Sequence, residues 1–169
     1  MGADRTKTNI KRGVLVLLIF FLQYIFADKL RIFGVAPNIA FAFITALAFL
    51  QDFKFNITAS LILGFLLDAV SGRIFGIHML MFVSMNFLIQ ELYHSAFSDN
   101  FVMQTIYGLL SAFVYSVIFA FFNSFFKGNF FVYFTQIGLI EFIYNFLLFE
   151  LFLIIQKNTH KKRRGAFRL

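Results

Sequence analysis

Two acidic side chains and one histidine interrupt long apolar stretches of this sequence and are its first candidates for chemistry: Asp68, His78 and Glu141. A charged group inside a bilayer is costly unless it is neutralised or paired, so such residues are functional hypotheses by default. Asp68 lies near the end of one predicted helix, and His78 lies about one turn into the next. The tight connection over residues 71–75 brings them to similar depth, where they can pair. Equally, Asp68 can cap the connecting backbone while His78 faces the headgroups.

Glu141 and Asn145 fall one turn apart near the middle of the last predicted helix. A buried carboxyl tends to take up a proton unless a charge or hydrogen-bond donors offset its desolvation, and Asn145 is the one local donor that the sequence indicates. This placement puts Glu141 in mid-membrane and His78 near the outer surface. An intramembrane enzyme would need the two in one cavity, so we do not expect such a site.

Familiar enzyme and metal motifs are missing from the sequence. It holds no HExxH, P-loop or GxSxG motif and no cluster of aspartates of the kind that binds magnesium. Cysteine is absent, and the three histidines lie in separate predicted elements. We therefore expect no catalytic residue, no metal site and no cofactor.

The composition indicates an all-α polytopic membrane protein. Hydrophobic residues make up 60% of the 169 residues, charged residues make up 14%, and the mean hydropathy is +0.82, which excludes an ordinary soluble domain. The pattern predicts a bundle of six transmembrane helices over residues 13–27, 37–50, 55–70, 74–92, 101–126 and 130–155. A six-helix domain at 13–156 then lies between basic tails at 1–12 and 157–169.

Basic residues predict the orientation of these spans. With six spans both tails lie on one side of the membrane, which then carries 11 of the 15 Lys and Arg residues. The positive-inside rule places that side, and both termini, in the cytoplasm. The basic run in the C-terminal tail suits anionic lipid headgroups. We expect no nucleic acid partner, because no folded nucleic-acid-binding module accompanies the run. The run comprises Lys161, Lys162, Arg163 and Arg164.

A face of small and polar residues marks the third predicted span. Ser60, Gly64, Asp68 and Gly72 recur at every fourth position, so they share one slowly drifting helix face. In a bilayer, small residues at this spacing let a second helix approach closely. The face predicts either a packing surface within a helix hairpin or a contact for a partner helix.

Two motifs of this sequence fit one known pattern. Pro37-Asn38 opens the second predicted span, and GFLLDAVSGRIFGIHML occupies residues 64–80. Together they resemble the rod shape-determining protein MreD family. The second motif matches the family's order of Gly, a short apolar stretch, Asp, Ser-Gly, and then Gly before a restarted helix. The matching positions, which exclude His78, are Gly64, Asp68, Ser71, Gly72 and Gly76.

This resemblance implies a non-enzymatic component of the bacterial inner membrane that serves cell elongation. Members of the family pair with the bitopic periplasmic protein MreC, and the complex is thought to couple cytoplasmic MreB filaments to the peptidoglycan glycosyltransferase and transpeptidase. Our hypothesis is that the small face organises the bundle. The hairpin or its 71–75 connection would then present the docking surface for the partner.

The alternative is a substrate-binding membrane subunit of a vitamin-type transporter, because MreD proteins are similar in architecture to the six-helix substrate-binding components of energy-coupling transporters. Ala42 and Ala46 provide a small-xxx-small pair of the sort that helix docking uses. Few polar groups are expected to converge on an outward pocket. Asp68, His78 and Asn123 are few polar side chains for the binding of a polar vitamin.

Overall fold

The computed structural model describes residues 2–49, 52–71, 75–95 and 100–166, and all regular secondary structure in these ranges is helical. The membrane-type all-α fold predicted from composition is thus observed as far as its secondary structure goes. A 3-10 turn follows the first helix, and a π-helical turn joins the last two. The helices are α1 Gly2–Phe26, α2 Ile39–Ala48, α3 Phe53–Ser71, α4 Ile77–Ser95, α5 Phe101–Lys127, α6 Phe130–Tyr133 and α7 Leu139–Ala166.

Within the described residues, three helical stretches are long and apolar enough to cross a membrane: Phe53–Ser71, Phe101–Ser124 and Phe130–Lys157. Large apolar side chains on their outer faces are exposed, among them Phe65 and Leu147. Exposed apolar surface of this extent suits lipid rather than water. The chain is therefore a helical membrane protein, and the number of spans, six, stays a prediction.

The short helix α2 forms the centre of the bundle. All of its ten residues are buried, and it contacts α1, α3, α4, α5 and α7. Helix α2 is shorter than the span predicted at 37–50. Residues 35–38, which precede it, are largely buried but not helical. At about 1.5 Å per residue α2 covers about 15 Å, half of a hydrocarbon core of about 30 Å. Non-helical backbone at such depth has to find its hydrogen bonds within the protein.

Gln23 and Asn38 supply hydrogen bonds where α2 begins. The Gln23 side chain, on α1, donates from Nε2 to the Pro37 carbonyl at 3.2 Å and accepts at Oε1 from the Ala40 N–H at 3.2 Å. The Asn38 side chain caps α2 by accepting from the Phe41 N–H at 2.9 Å. These bonds fix the depth at which the non-helical segment ends and α2 starts.

Aromatic side chains fill the space around α2. Phe41 and Tyr115 pack with ring centroids 4.1 Å apart, and Phe82 lies next to Phe41 at 6.3 Å. All three are fully buried. Where α5 meets α7, Gly108 makes room for the Phe149 ring, since a Cβ at Gly108 would lie 1.9 Å from a ring carbon.

Arg12 of α1 forms an ion pair with Asp52, the residue before α3 (N–O distance 3.3 Å). This pair lies at the opposite end of α3 from Ser71. The hydrogen bond from Arg12 holds the pKa of the Asp52 carboxyl below its usual value of 3.8. The lowered pKa contributes stability above the carboxyl's unfolded pKa, and that contribution is lost as the pH falls through the folded-state pKa.

We expect Asp52→Asn to have little effect on stability. The Asp52 side chain is well exposed, so solvent screens the pair and its loss costs at most about 0.5 kcal/mol. Thermal unfolding in detergent at pH 7 should therefore give a midpoint close to that of the wild type. A large drop in the midpoint would contradict this expectation.

Candidate functional site

The small face of α3 packs against α4 of the same chain. A Cβ added at Gly64 would lie 2.3 Å from the Met79 Cα and 2.7 Å from its backbone nitrogen. One turn earlier, the Ser60 hydroxyl accepts a hydrogen bond of 2.9 Å from the Asn86 side-chain amide. Of the two alternatives for the small face, the structure has the packing surface within the α3–α4 hairpin, and α4 occupies the face.

Asp68 joins the end of α3 to the start of α4 through three interactions. Its carboxylate accepts from the His78 N–H at 3.0 Å and from the Met79 N–H at 3.1 Å. Its Oδ1 also lies 2.8 Å from the His78 Nδ1. The two N–H groups belong to the first turn of α4, which lacks intrahelical partners for them and favours a negative charge nearby. Asp68 thus caps α4 and pairs with the histidine ring at the same time.

The connection between α3 and α4 is only partly described. The Ser71 hydroxyl donates to the Asp68 carbonyl at 3.3 Å. Gly76 has a φ of +97°, a backbone conformation that side-chain-bearing residues rarely adopt. Gly72, the fourth member of the predicted small face, lies outside the described residues.

A cavity of about 400 Å³ lies beside this hairpin, and we call the end of the bundle that holds it the cavity end. Its walls come from α1, the segment after α1, α3, α4, α5 and the helix that contains α6 and α7. The segment after α1 contributes Asp28 and Arg31. The remaining polar side chains of the lining include Gln23, Tyr24, Asn38, His78, Tyr133 and Glu141.

The sequence-based separation of Glu141 from His78 was wrong, because both side chains line this cavity. The error came from assuming that all connections lie at one depth. Helix α5 has 27 residues and α3 has 19, about 40 Å against about 29 Å at about 1.5 Å per residue. The α5–α6 connection therefore lies farther out, and Glu141, about 17 Å along the helix from Phe130, reaches the level where α3 ends.

More polar groups meet in this cavity than the few that the sequence indicated for a pocket, and whether the cavity faces outward stays a prediction. The non-helical segment before α2 turns inward from Val35 on, while at its exposed start the Tyr144 hydroxyl of α7 donates to the Leu30 carbonyl at 2.7 Å. This inward path brings polar groups of α1 and of the segment to the cavity. Asn123, which was expected among the polar groups, instead donates to the Phe119 carbonyl of its own helix at 2.8 Å.

Asn145 has a different role from the one predicted. Its Oδ1 accepts from the Asn38 N–H at 2.9 Å, while its Nδ2 makes no hydrogen bond among the described residues. Asn145 therefore does not supply the donor to Glu141 that the sequence indicated. The Asn38 side-chain amide in turn donates to the Tyr115 hydroxyl. Asn38 and Asn145 thus tie α2 to α5 and α7 beneath the cavity.

Five polar contributors to this site were missed in the sequence: Gln23, Tyr24, Asp28, Arg31 and Tyr133. Gln23 carried a signal, since it is an amide within an otherwise apolar predicted span. The Arg31 guanidinium donates to Asp28 Oδ1 at 2.8 and 3.1 Å and to the Gly34 carbonyl at 3.2 Å.

Two further predictions concern metal binding and the basic C-terminal tail. Among the described residues, no group of three His, Cys, Asp or Glu side chains could hold a metal ion. Helix α7 continues through the basic run to Ala166. The side chains of that run, Lys161, Lys162, Arg163 and Arg164, lie outside the described part of the structure, so their membrane contact stays a prediction.

Comparison with known proteins identifies the family. A family model described as rod shape-determining protein MreD matches residues 8–158 of the 169. No curated protein and no solved structure gives a significant match. The match includes the α3–α4 hairpin, the non-helical segment before α2 and every residue of the cavity lining. The chain therefore belongs to the MreD family of rod shape-determining membrane proteins.

Proposed function

We propose that this protein is a non-enzymatic component of the bacterial cell-elongation machinery that binds MreC in the inner membrane. Through MreC it helps to couple MreB filaments to the glycosyltransferase and transpeptidase that build the wall. The observation that carries this proposal is the family match over residues 8–158, since the family is one of rod shape determination. The same match does not favour the transporter alternative.

The proposed orientation has six spans, with both termini in the cytoplasm. The side of the membrane that holds both terminal tails carries most of the Lys and Arg residues. This charge distribution supports a cytoplasmic location for both tails. The cavity end then faces the periplasm. A bitopic periplasmic partner such as MreC crosses the membrane beside the bundle and emerges at this end.

We place the contact with MreC at the cavity rather than on the small face of α3. A helix cannot dock on Gly64 and Ser60, because α4 already packs there. The cavity is concave, of a volume typical of binding sites, and carries both apolar and polar walls. Its lining also includes Val70 and Ser71, which belong to the motif at residues 64–80, where the resemblance to the family is most specific.

We expect Val70→Trp to weaken the complex with MreC. Val70 lines the cavity and is 46% exposed, so an indole at this position obstructs access to the cavity without entering the core. The measurement is the amount of MreC that co-purifies with the tagged chain from native membranes in mild detergent. We expect a several-fold loss relative to the wild type.

Val132→Trp is the matched control. Val132 is 49% exposed on α6, near the same end of the bundle, but it does not line the cavity. This variant should retain MreC at the level of the wild type. Equal recovery with both variants would contradict docking at the cavity. Recovery of ATPase subunits and a coupling protein instead of MreC would overturn the proposed function.

A further inference from the structure

We propose that the cavity binds a cationic side chain, a lysine or arginine from the periplasmic segment of MreC next to its membrane span, with Glu141 as the anionic group that receives it. This inference rests on the proposed function, because it takes MreC to dock at the cavity end. It adds the chemistry of the contact and the residue that recognises it.

The charges around the cavity favour a cation. Among the described residues, Asp28 and Glu141 line it, and Asp68 lies directly behind His78. The basic groups are Arg31 and His78. Arg31 pairs with Asp28 and the His78 ring with Asp68, so each basic group faces a carboxylate of its own, and Glu141 adds a further carboxyl to the lining. Because Glu141 is only 5% exposed, desolvation opposes its charged form, and an incoming cation offsets that cost more strongly there than at an open surface.

The main hydrogen-bond donors of the lining are already engaged, which argues against an anionic ligand. Arg31 directs its guanidinium to Asp28 and to the Gly34 carbonyl. The His78 Nδ1 faces the Asp68 carboxylate, and the Asn38 amide donates to Tyr115. An anion would have to break these contacts, whereas a cation leaves them in place.

The shape of the cavity suits a long basic side chain. Its volume of about 400 Å³ is larger than a lysine or arginine side chain needs, so neighbouring atoms of the segment can enter as well. Leu67, Val70 and Ile137 provide apolar walls for the methylene stem of such a residue. The aromatic side chains of Tyr24 and Phe119 also line the cavity.

The test compares Glu141→Gln with Glu150→Gln in the full chain co-expressed with MreC. Truncating one partner of a buried charge pair commonly costs several kcal/mol, so we expect Glu141→Gln to lower MreC recovery at least about tenfold. Glu150 lies on the same helix and does not line the cavity, so Glu150→Gln should leave recovery unchanged. Glu141→Asp keeps the charge and should retain part of the binding. Thermal unfolding in detergent checks that each variant is folded.

A second measurement locates the contact directly. The chain has no cysteine, so Val70→Cys introduces a single thiol at the edge of the cavity. With cysteines placed along the membrane-proximal segment of MreC, a disulfide should form at positions beside a lysine or arginine. Replacing that basic residue by glutamine should lower recovery with the wild-type chain and have no additional effect with Glu141→Gln.

The outcomes separate the two proposals. If MreC co-purifies with the wild type but Glu141→Gln retains it fully, the charge recognition is wrong and the proposed function stands. The same holds if the basic residues of the segment can all be replaced without effect. If the wild type recovers no MreC, the proposed function is wrong and this inference falls with it.

Discussion

Gly64→Ala is expected to destabilise the folded protein by about 1 to 3 kcal/mol. The added methyl would lie 2.3 Å from the Met79 Cα, and a backbone atom cannot move aside as a flexible side chain can. Helices α3 and α4 must therefore separate, which also stretches the Ser60–Asn86 hydrogen bond. The midpoint of thermal unfolding in detergent, followed by size-exclusion chromatography of the heated sample, measures the effect.

Gly13→Ala is the control for this change. Gly13 is a helical glycine of α1 with no atom within 4 Å of an added Cβ, so its substitution should not lower the midpoint. Equal midpoints for wild type and Gly64→Ala would show that α3 and α4 do not approach this closely. If replacing Gly64 by a larger residue lowers MreC recovery, the disturbed packing of α3 on α4 already accounts for the loss. For this reason the docking test uses Val70.

Asp68→Ala should have a still larger effect, about 2 to 6 kcal/mol, because each of the two buried donors left without its acceptor costs about 1 to 3 kcal/mol. The substitution leaves the His78 and Met79 N–H groups without their acceptor and removes the partner of the His78 ring. Membrane insertion should persist, since removing a charge makes insertion less costly. Thermal unfolding and protease protection of membrane vesicles measure stability and insertion separately.

Two companion variants divide the roles of Asp68. His78→Ala removes the ring but leaves both backbone hydrogen bonds to the carboxylate, so it should cost less than Asp68→Ala. Asp68→Asn keeps one acceptor oxygen and should fall between Asp68→Ala and the wild type. If Asp68→Ala unfolds at the same temperature as the wild type, the carboxylate does not hold the hairpin together.

Together these expectations link the hairpin to the proposed function. Asp68 fixes the first turn of α4, and that turn presents His78 to the cavity. A loosened hairpin should therefore weaken the contact with MreC even though Asp68 is buried behind the lining. Variants of Asp68 should lose partner binding and stability together, whereas Val70→Trp should lose partner binding with little loss of stability.

The sequence alone determined the features that depend on local pattern. Apolar composition and helical spacing predicted an all-helical membrane protein. The four-residue spacing of Ser60, Gly64 and Asp68 predicted a face of close approach. The proximity of Asp68 and His78 could be anticipated because only ten positions separate them, and a short connection between two helices leaves them little freedom to lie at different depths.

The tertiary structure alone decided what occupies that face and where the cavity lies. The face packs on α4 of the same chain. The small residues themselves do not encode whether α4 or a helix of a partner protein occupies the face. Glu141 meets His78 because α5 is longer than α3 and carries its connection farther out. Asn38 meets Asn145 across 107 positions of sequence. Contacts of this range depend on the summed lengths and tilts of several helices, so no local pattern reports them.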